Sequence, residues 1–144
     1  MTVAAPPAEL TSRLRMVTMR LSRLLRQHAG PDLSPGIVSA LGTVARCGPV
    51  TLGRLAELEG VQPPSMTRIV AKLEELRLVT REVDVADRRV ARVALTPDGE
   101  RLLADVRLRR NELLAGRLGG LAPADVEAIE AALPALERLA GLQP

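Results

Sequence analysis

Few residues in this chain are equipped for covalent or metal chemistry. It has one histidine, His28, one cysteine, Cys47, and no Phe, Tyr or Trp. A single cysteine supports neither an internal disulfide nor a multi-cysteine metal site. His28, Asp32 and Cys47 have neither the spacing nor the ligand count of a metal centre. No Gly-rich phosphate loop leads into a Lys-Ser or Lys-Thr pair, and no Ser-His-Asp set is within reach. Catalysis, a metal and a cofactor are therefore not expected. Cys47 has no second cysteine to resolve an oxidised state and reads as a small buried hydrophobe. What remains is charge and hydrogen bonding. The stretch REVDVADRRVARVALT, residues 81–96, concentrates Asp84, Asp87, Arg88 and Arg89 between two apolar-alternating runs. Adjacent arginines cannot share one strand face, so one can pair back with an acid while the other points away. Taken alone, the stretch is equally a solvated turn with an exposed ion pair worth about 0–1 kcal/mol.

The elements that hold this stretch follow from punctuation and period. At 144 residues the chain suffices for one domain with a core, and 47% apolar with 26% charged residues is ordinary for a globular protein. The core must come from Leu, Val, Ile, Ala and Met. No apolar run approaches the roughly 18 residues of a membrane span. The start, MTVAAPPAEL, lacks a signal-peptide pattern, so a cytoplasmic protein is expected. The net charge is +3, but residues 1–30 hold five Arg against Glu9 (+4), and residues 121–144 hold Arg138 against four acids (−3). These ends can attract each other across a fold or a dimer. Lys72 is the only lysine. Arginine suits forked contacts to phosphate and guanine, but a GC-rich genome gives the same bias.

Behind an Ala/Pro-rich start, Leu10, Leu14, Val17, Leu21 and Leu24 repeat in steps of four and three, a helix with a heptad-like seam. Gly30-Pro31 ends it. Ser34 and Pro35 open a second helix that runs to about Arg46. A third helix starts at Thr51, with Leu52, Leu55, Ala56 and Leu58 inward, and stops at Gly60. A fourth follows Val61, with Met66, Ile69, Val70, Leu73 and Leu76 as its apolar stripe. Pro64, Ser65, Thr67, Arg68, Ala71, Lys72 and Glu75 take its other face. Two helices joined by a short Gly-containing turn form a helix-turn-helix. The period then falls to two, giving strands at 78–83 and 90–95 with a loop from Asp84 to Arg89. Thr96-Pro97-Asp98 opens a long helix that reaches about Leu118 before Gly119-Gly120. A last helix from Pro123 has Val126, Ile129, Leu133, Leu136 and Leu139 or Ala140 as its seam, with Pro134 inside it as a kink. The fold class is mainly α with a small β-hairpin wing.

Three motifs in this order resemble the multiple-antibiotic-resistance regulator (MarR) family of bacterial transcription factors. Leu73-Glu74, Leu78-Val79 and Arg81 are similar to its Leu-Glu-x-x-Gly-Leu-Val-x-Arg run. Asp84, Asp87 and Arg89 fit its Asp-x-x-Asp-x-Arg wing motif, with Arg88 between. Leu95-Thr96 and Gly99 resemble the Leu-Thr-x-x-Gly that follows. The resemblance in organisation covers nearly the whole of 1–144. It implies a homodimer in which 8–30 and 100–144 supply dimerisation helices and 34–96 a winged helix-turn-helix lobe. It also implies a pseudo-palindromic operator in double-stranded DNA, a repressor's role and a small-molecule effector, which the sequence does not identify. One departure stands out. Arg77 occupies the place where the family usually has Gly, which suits a left-handed helix cap; a non-Gly residue there costs on the order of 1 kcal/mol.

On that reading the fourth helix enters the major groove. Gln62, Pro64, Ser65, Thr67 and Arg68 lie on its leading turns, where a recognition helix meets base edges. Arg68 has the fork for guanine O6 and N7. Gln62 can instead be the N-cap, and Lys72 suits a phosphate. In the wing, Arg89 is favoured by motif position to reach a narrow minor groove, with Arg88 second, and Asp84 or Asp87 holding the loop. A winged-helix module that binds a protein instead of DNA is the alternative.

Overall fold

The computed structural model describes residues 7–28, 30 and 33–142. The Ala/Pro-rich start through Pro6, and Pro31 and Asp32, lie outside the described residues. The elements in order are α1 (Ala8–Gln27), α2 (Pro35–Cys47), β1 (Val50–Thr51), α3 (Leu52–Glu59) and α4 (Pro63–Glu75). Then come β2 (Val79–Val83), β3 (Ala91–Leu95), α5 (Pro97–Gly119) and α6 (Pro123–Leu139). The fold is mainly helical with a small antiparallel sheet of order β1-β3-β2. β1 is new relative to the sequence reading. Two residues show no alternation, and only pairing with β3, Val50 to Val93 and Thr51 to Arg92, defines them.

Local chemistry sets the boundaries. Ser34 Oγ accepts from the Ile37 amide at 3.4 Å, Thr51 Oγ1 from Arg54 at 3.3 Å and Thr96 Oγ1 from Gly99 at 3.1 Å. Each hydroxyl occupies an amide that the first helical turn leaves without a partner. Three helices end in the same way. Past α3, Gly60 donates to Glu57 O and Val61 to Ala56 O; past α6, Gly141 donates to Arg138 O and Leu142 to Glu137 O. Past α4, Arg77 donates to Glu74 O and Leu78 to Leu73 O, both at 2.9 Å. This pattern needs one left-handed residue. Gly60 (φ 64) and Gly141 (φ 73) supply it at two ends, and Arg77 (φ 59) at the third.

The chain divides into two compact units, Met1–Arg110 and Asn111–Pro144. In the first, α2, α3 and α4 pack with the sheet around Leu41, Val44, Leu55, Met66, Val70, Leu73 and Val93, all essentially buried. A smaller cluster joins Val38 and Val106, with Leu33 and Leu102 against them. Two residues expected inward are not. Leu58 (42% exposed) falls off the stripe centred on Leu55 and Ala56, and Leu76 (39%) sits at the C-cap of α4, where the chain turns away. Cys47 is another correction: it is exposed at the end of α2, since that helix turns Val38, Ala40, Leu41, Thr43 and Val44 inward. His28 follows α1, its Nδ1 2.8 Å from Leu24 O, and the Arg110 guanidinium donates to Leu25 O at 3.2 Å. The Arg110 cation suits the negative end of a helix dipole.

The start of α5 is tied to the α4–β2 turn. Thr96 Oγ1 donates to Arg77 O at 2.7 Å, and the Thr96 amide donates to Leu78 O at 3.1 Å. Gly99 is buried against this turn. A Cβ there would overlap the Leu78 carbonyl oxygen and lie 2.8 Å from Leu95. The Leu-Thr-x-x-Gly sequence thus has a steric reason. Neither α1 nor α6 buries a single residue. Their seams stand open: Leu10, Val17 and Leu21 on α1, and Ile129, Leu133, Leu136 and Leu139 on α6. α6 runs through Pro134 as one helix. Among the described residues, no helix is long and apolar enough to cross a membrane.

Candidate nucleic-acid interface

α4 stands on the core through Met66, Val70 and Leu73, and this seating turns its other side outward. Gln62, Pro64, Ser65, Thr67, Arg68 and Lys72 are all exposed there. Pro64, Thr67, Arg68, Ala71, Lys72 and Glu75 follow helical steps of three and four, so they form one stripe. Gln62 is the N-cap, without a side-chain cap bond. Pro63 and Pro64 have no amide hydrogens, and the Ser65 amide donates back to Gln62 O at 2.9 Å. This helix N-terminus therefore has few backbone donors for an anion, unlike most, and its contacts fall to side chains. Thr67 spends its hydroxyl on Pro63 O at 3.0 Å. Lys72 Nζ is held by both oxygens of Glu75, at 3.1 and 3.0 Å. Arg68 has no ion pair or side-chain hydrogen bond among the described residues, so its fork is available to an incoming acceptor.

The hairpin pairs Val79 with Leu95 through Val83 with Ala91. Its loop is organised by two carboxylates. Asp84 Oδ1 accepts from the amides of Ala86 (2.8 Å) and Asp87 (3.2 Å), and its Oδ2 accepts from Arg92 Nε at 2.8 Å. The Arg92 guanidinium first, then those two amides, hold the Asp84 carboxyl below the usual carboxylate range. Asp87 Oδ1 accepts from the Arg89 amide at 3.0 Å and from its Nε at 3.2 Å. Arg89 is 92% exposed, so Asp87 orients it without covering it. Arg88 is exposed and has no ion pair among the described residues. Val85, between Asp84 and Asp87, is fully exposed.

Two contributors escaped the sequence reading. Arg92 sits opposite Glu82 in the strand register, yet its guanidinium pairs with Asp84. Arg81 Nε lies 3.1 Å from both carboxylate oxygens of Glu74, linking β2 to α4. Arg81 falls inside a matched motif and Arg92 between two of them, but i+7 and i+8 separations across a turn give no periodic signal.

Comparison with known proteins adds to this geometry. A family model described as the MarR family matches residues 32–90. A helix-turn-helix-type transcriptional regulator of Mycobacterium bovis is 41% identical over 115 residues, covering 79% of this chain and 80% of the relative. Among solved structures, a MarR family protein from Bacillus stearothermophilus superposes with a TM-score of 0.72 at 27% identity, over 93% of this chain and 94% of that one. The fold is also that of a Staphylococcus aureus MepR variant bound to an oligodeoxyribonucleotide, with a TM-score of 0.69 at 22% identity over 93% and 98% of the two chains.

Proposed function

Since this chain belongs to the MarR family of winged helix-turn-helix, DNA-binding transcription regulators, we propose that it works as a homodimeric repressor on a pseudo-palindromic operator. The observation that carries the reading is a pair of exposed, arginine-bearing elements linked by the Glu74–Arg81 ion pair: the stripe of α4, led by Arg68, which has no ion pair among the described residues, and the wing that presents Arg88 and Arg89. Gln62, Ser65 and Arg68 read base edges in the major groove, and Arg68 suits a guanine. Pro64 and the Thr67 methyl offer apolar contact there. Lys72 meets a phosphate by exchanging Glu75 for it. Arg89, oriented by Asp87, enters the adjacent minor groove, with Arg88 on the backbone beside it; Asp84 keeps the loop in shape. A role as an enzyme finds no support in this arrangement.

Dimerisation is supported by α1 and α6. Rows of exposed leucines at seam spacing are costly in water and are what an interface between copies covers. In this reading 8–30 and 100–144 build the dimer lobe and 34–96 the DNA-binding lobe. The opposite charges of the two chain ends assist their pairing. Two lobes with recognition helices about 34 Å apart meet successive major-groove faces. Occupying the operator blocks transcription, and a small effector releases it. The protein then resides in the cytoplasm, on the nucleoid when bound.

The test combines sedimentation with DNA binding. The protein should sediment as a dimer at micromolar concentration. It should also retain duplexes from a randomised library, with an affinity that falls steeply as salt rises, because phosphate contacts release counterions. A monomer sinks the dimer. Failure to retain any duplex at low salt sinks the DNA reading and favours a winged-helix module that docks a protein.

A further inference from the structure

We propose that Glu74 and Arg81 are positioning residues that set the angle of the wing against α4, and so decide whether wing and helix can grip one DNA duplex together. The proposal rests on the DNA-binding reading above and adds to it a pair of residues that do not themselves touch DNA.

The sheet order makes the need clear. β3 is central and is held on one side by β1, through Val50 to Val93 and Thr51 to Arg92. β2 is the outer strand, with no neighbour beyond it. Along β2 only Val79 is buried; Thr80, Arg81, Glu82 and Val83 are exposed. The core therefore holds β2 at its root alone, whereas β3 is held as far as Val93 by the core and as far as Arg92 by β1. A two-stranded ribbon twists easily, so its outer strand needs another restraint if the tip is to have a fixed position. Arg81 Nε supplies one, lying 3.1 Å from both oxygens of Glu74 in the last turn of α4. Among the described residues this is the only side-chain hydrogen bond or ion pair from residues 80–92 to any part of the chain outside the hairpin. The other ion pairs of the wing, Asp84 with Arg92 and Asp87 with Arg89, lie within it. They fix the loop's shape, and the Glu74–Arg81 pair fixes where that shape points.

Glu74 also tests the idea by its sign. It is an acid on the helix proposed to enter the groove. If it were a passive surface charge, its removal would lessen repulsion from phosphate, release Arg81 and tighten DNA binding. A positioning role predicts the opposite.

The experiment uses the full chain and the duplex that wild-type protein selects from a randomised library; if none is selected, the DNA reading fails before this proposal is reached. On that duplex, Glu74→Ala should weaken binding roughly 2- to 5-fold, the factor a partly exposed ion pair can supply, with an unchanged melting temperature. In an Arg89→Ala background the same substitution should leave affinity unchanged, because the wing no longer grips. Hydroxyl-radical protection at the wing's minor groove should fall, while guanine N7 under α4 stays protected from methylation. Should Glu74→Ala lower the melting temperature, the isosteric Glu74→Gln repeats the measurement. Unchanged or tighter binding by a stably folded Glu74 variant, or an equal loss with and without Arg89, overturns the proposal.

Discussion

Replacing Arg77 by glycine should stabilise this protein. The helices α3, α4 and α6 end in the same hydrogen-bond pattern, and each requires a left-handed residue just past the helix. Gly60 and Gly141 fill it at two ends; Arg77 fills it at φ 59. A side chain in this region places its Cβ against a carbonyl oxygen, at a cost of about 1–2 kcal/mol. Glycine removes that cost, but its freer unfolded chain returns about 0.5–1 kcal/mol. The guanidinium adds nothing to offset the change, since Arg77 is exposed and has no ion pair among the described residues. The net gain is about 0.5–1 kcal/mol. At roughly 2.1 cal/mol/K of unfolding entropy per residue, a chain of 144 residues changes by about 0.3 kcal/mol per degree. The melting temperature should rise by about 2–3 °C. Thermal unfolding at one fixed protomer concentration measures it, since association shifts apparent stability. Arg77→Ala is the control, because it discards the guanidinium but keeps the Cβ and should gain almost nothing. A fall with glycine, or an equal rise with alanine, would refute a backbone origin.

At the same turn, Gly99→Ala should act in the opposite direction. Its Cβ would overlap the Leu78 backbone oxygen, which also accepts from the Thr96 amide and cannot yield as a side-chain end would, so about 3 kcal/mol is lost and the melting temperature drops by about 10 °C. Arg89→Ala should weaken binding to the selected duplex by about 1–3 kcal/mol and leave the melting temperature alone; unchanged affinity at physiological salt with matched stability counts against the wing. Asp84 fixes a pH window. Its carboxyl is held low by Arg92 and by the amides of Ala86 and Asp87, so the order it gives the loop is complete above the ordinary value of about 3.9. That order is lost only as pH falls through the lowered value. The wing's share of affinity, measured as the ratio of wild type to Arg89→Ala, should be flat from pH 8 to pH 5, and a decline already present at pH 6 would contradict this account.

Much of this architecture was legible in the sequence, for reasons that are local. Ser34, Thr51 and Thr96 each stand where an amide two or three positions ahead needs an acceptor, and the hydroxyl meets that need whatever the rest of the chain does. Met66, Val70 and Leu73 repeat at the helical period, which fixes both the existence of α4 and the outward side that bears Arg68 and Lys72. The change of period after Leu78 marks the hairpin, and the motifs around Glu74, Asp84 and Thr96 mark the family. Even the awkward place of Arg77 could be read in advance, because a left-handed cap is a property of the backbone.

The tertiary structure decided what depends on separation in space. β1 is two residues long and exists only because Val93 and Arg92 lie beside it. Leu58 and Leu76 have the composition of core residues, but a helix in a small core covers only one stripe, and both lie outside it. Gly99 is demanded by the carbonyl of Leu78, a neighbour that no spacing rule brings to it. In the wing, sequence gave two acids and several arginines without saying how they pair. The fold joined Asp84 to Arg92, Asp87 to Arg89 and Glu74 to Arg81. Charge attraction is not periodic, so each pairing is settled by the twist of the hairpin and the turn that aims it.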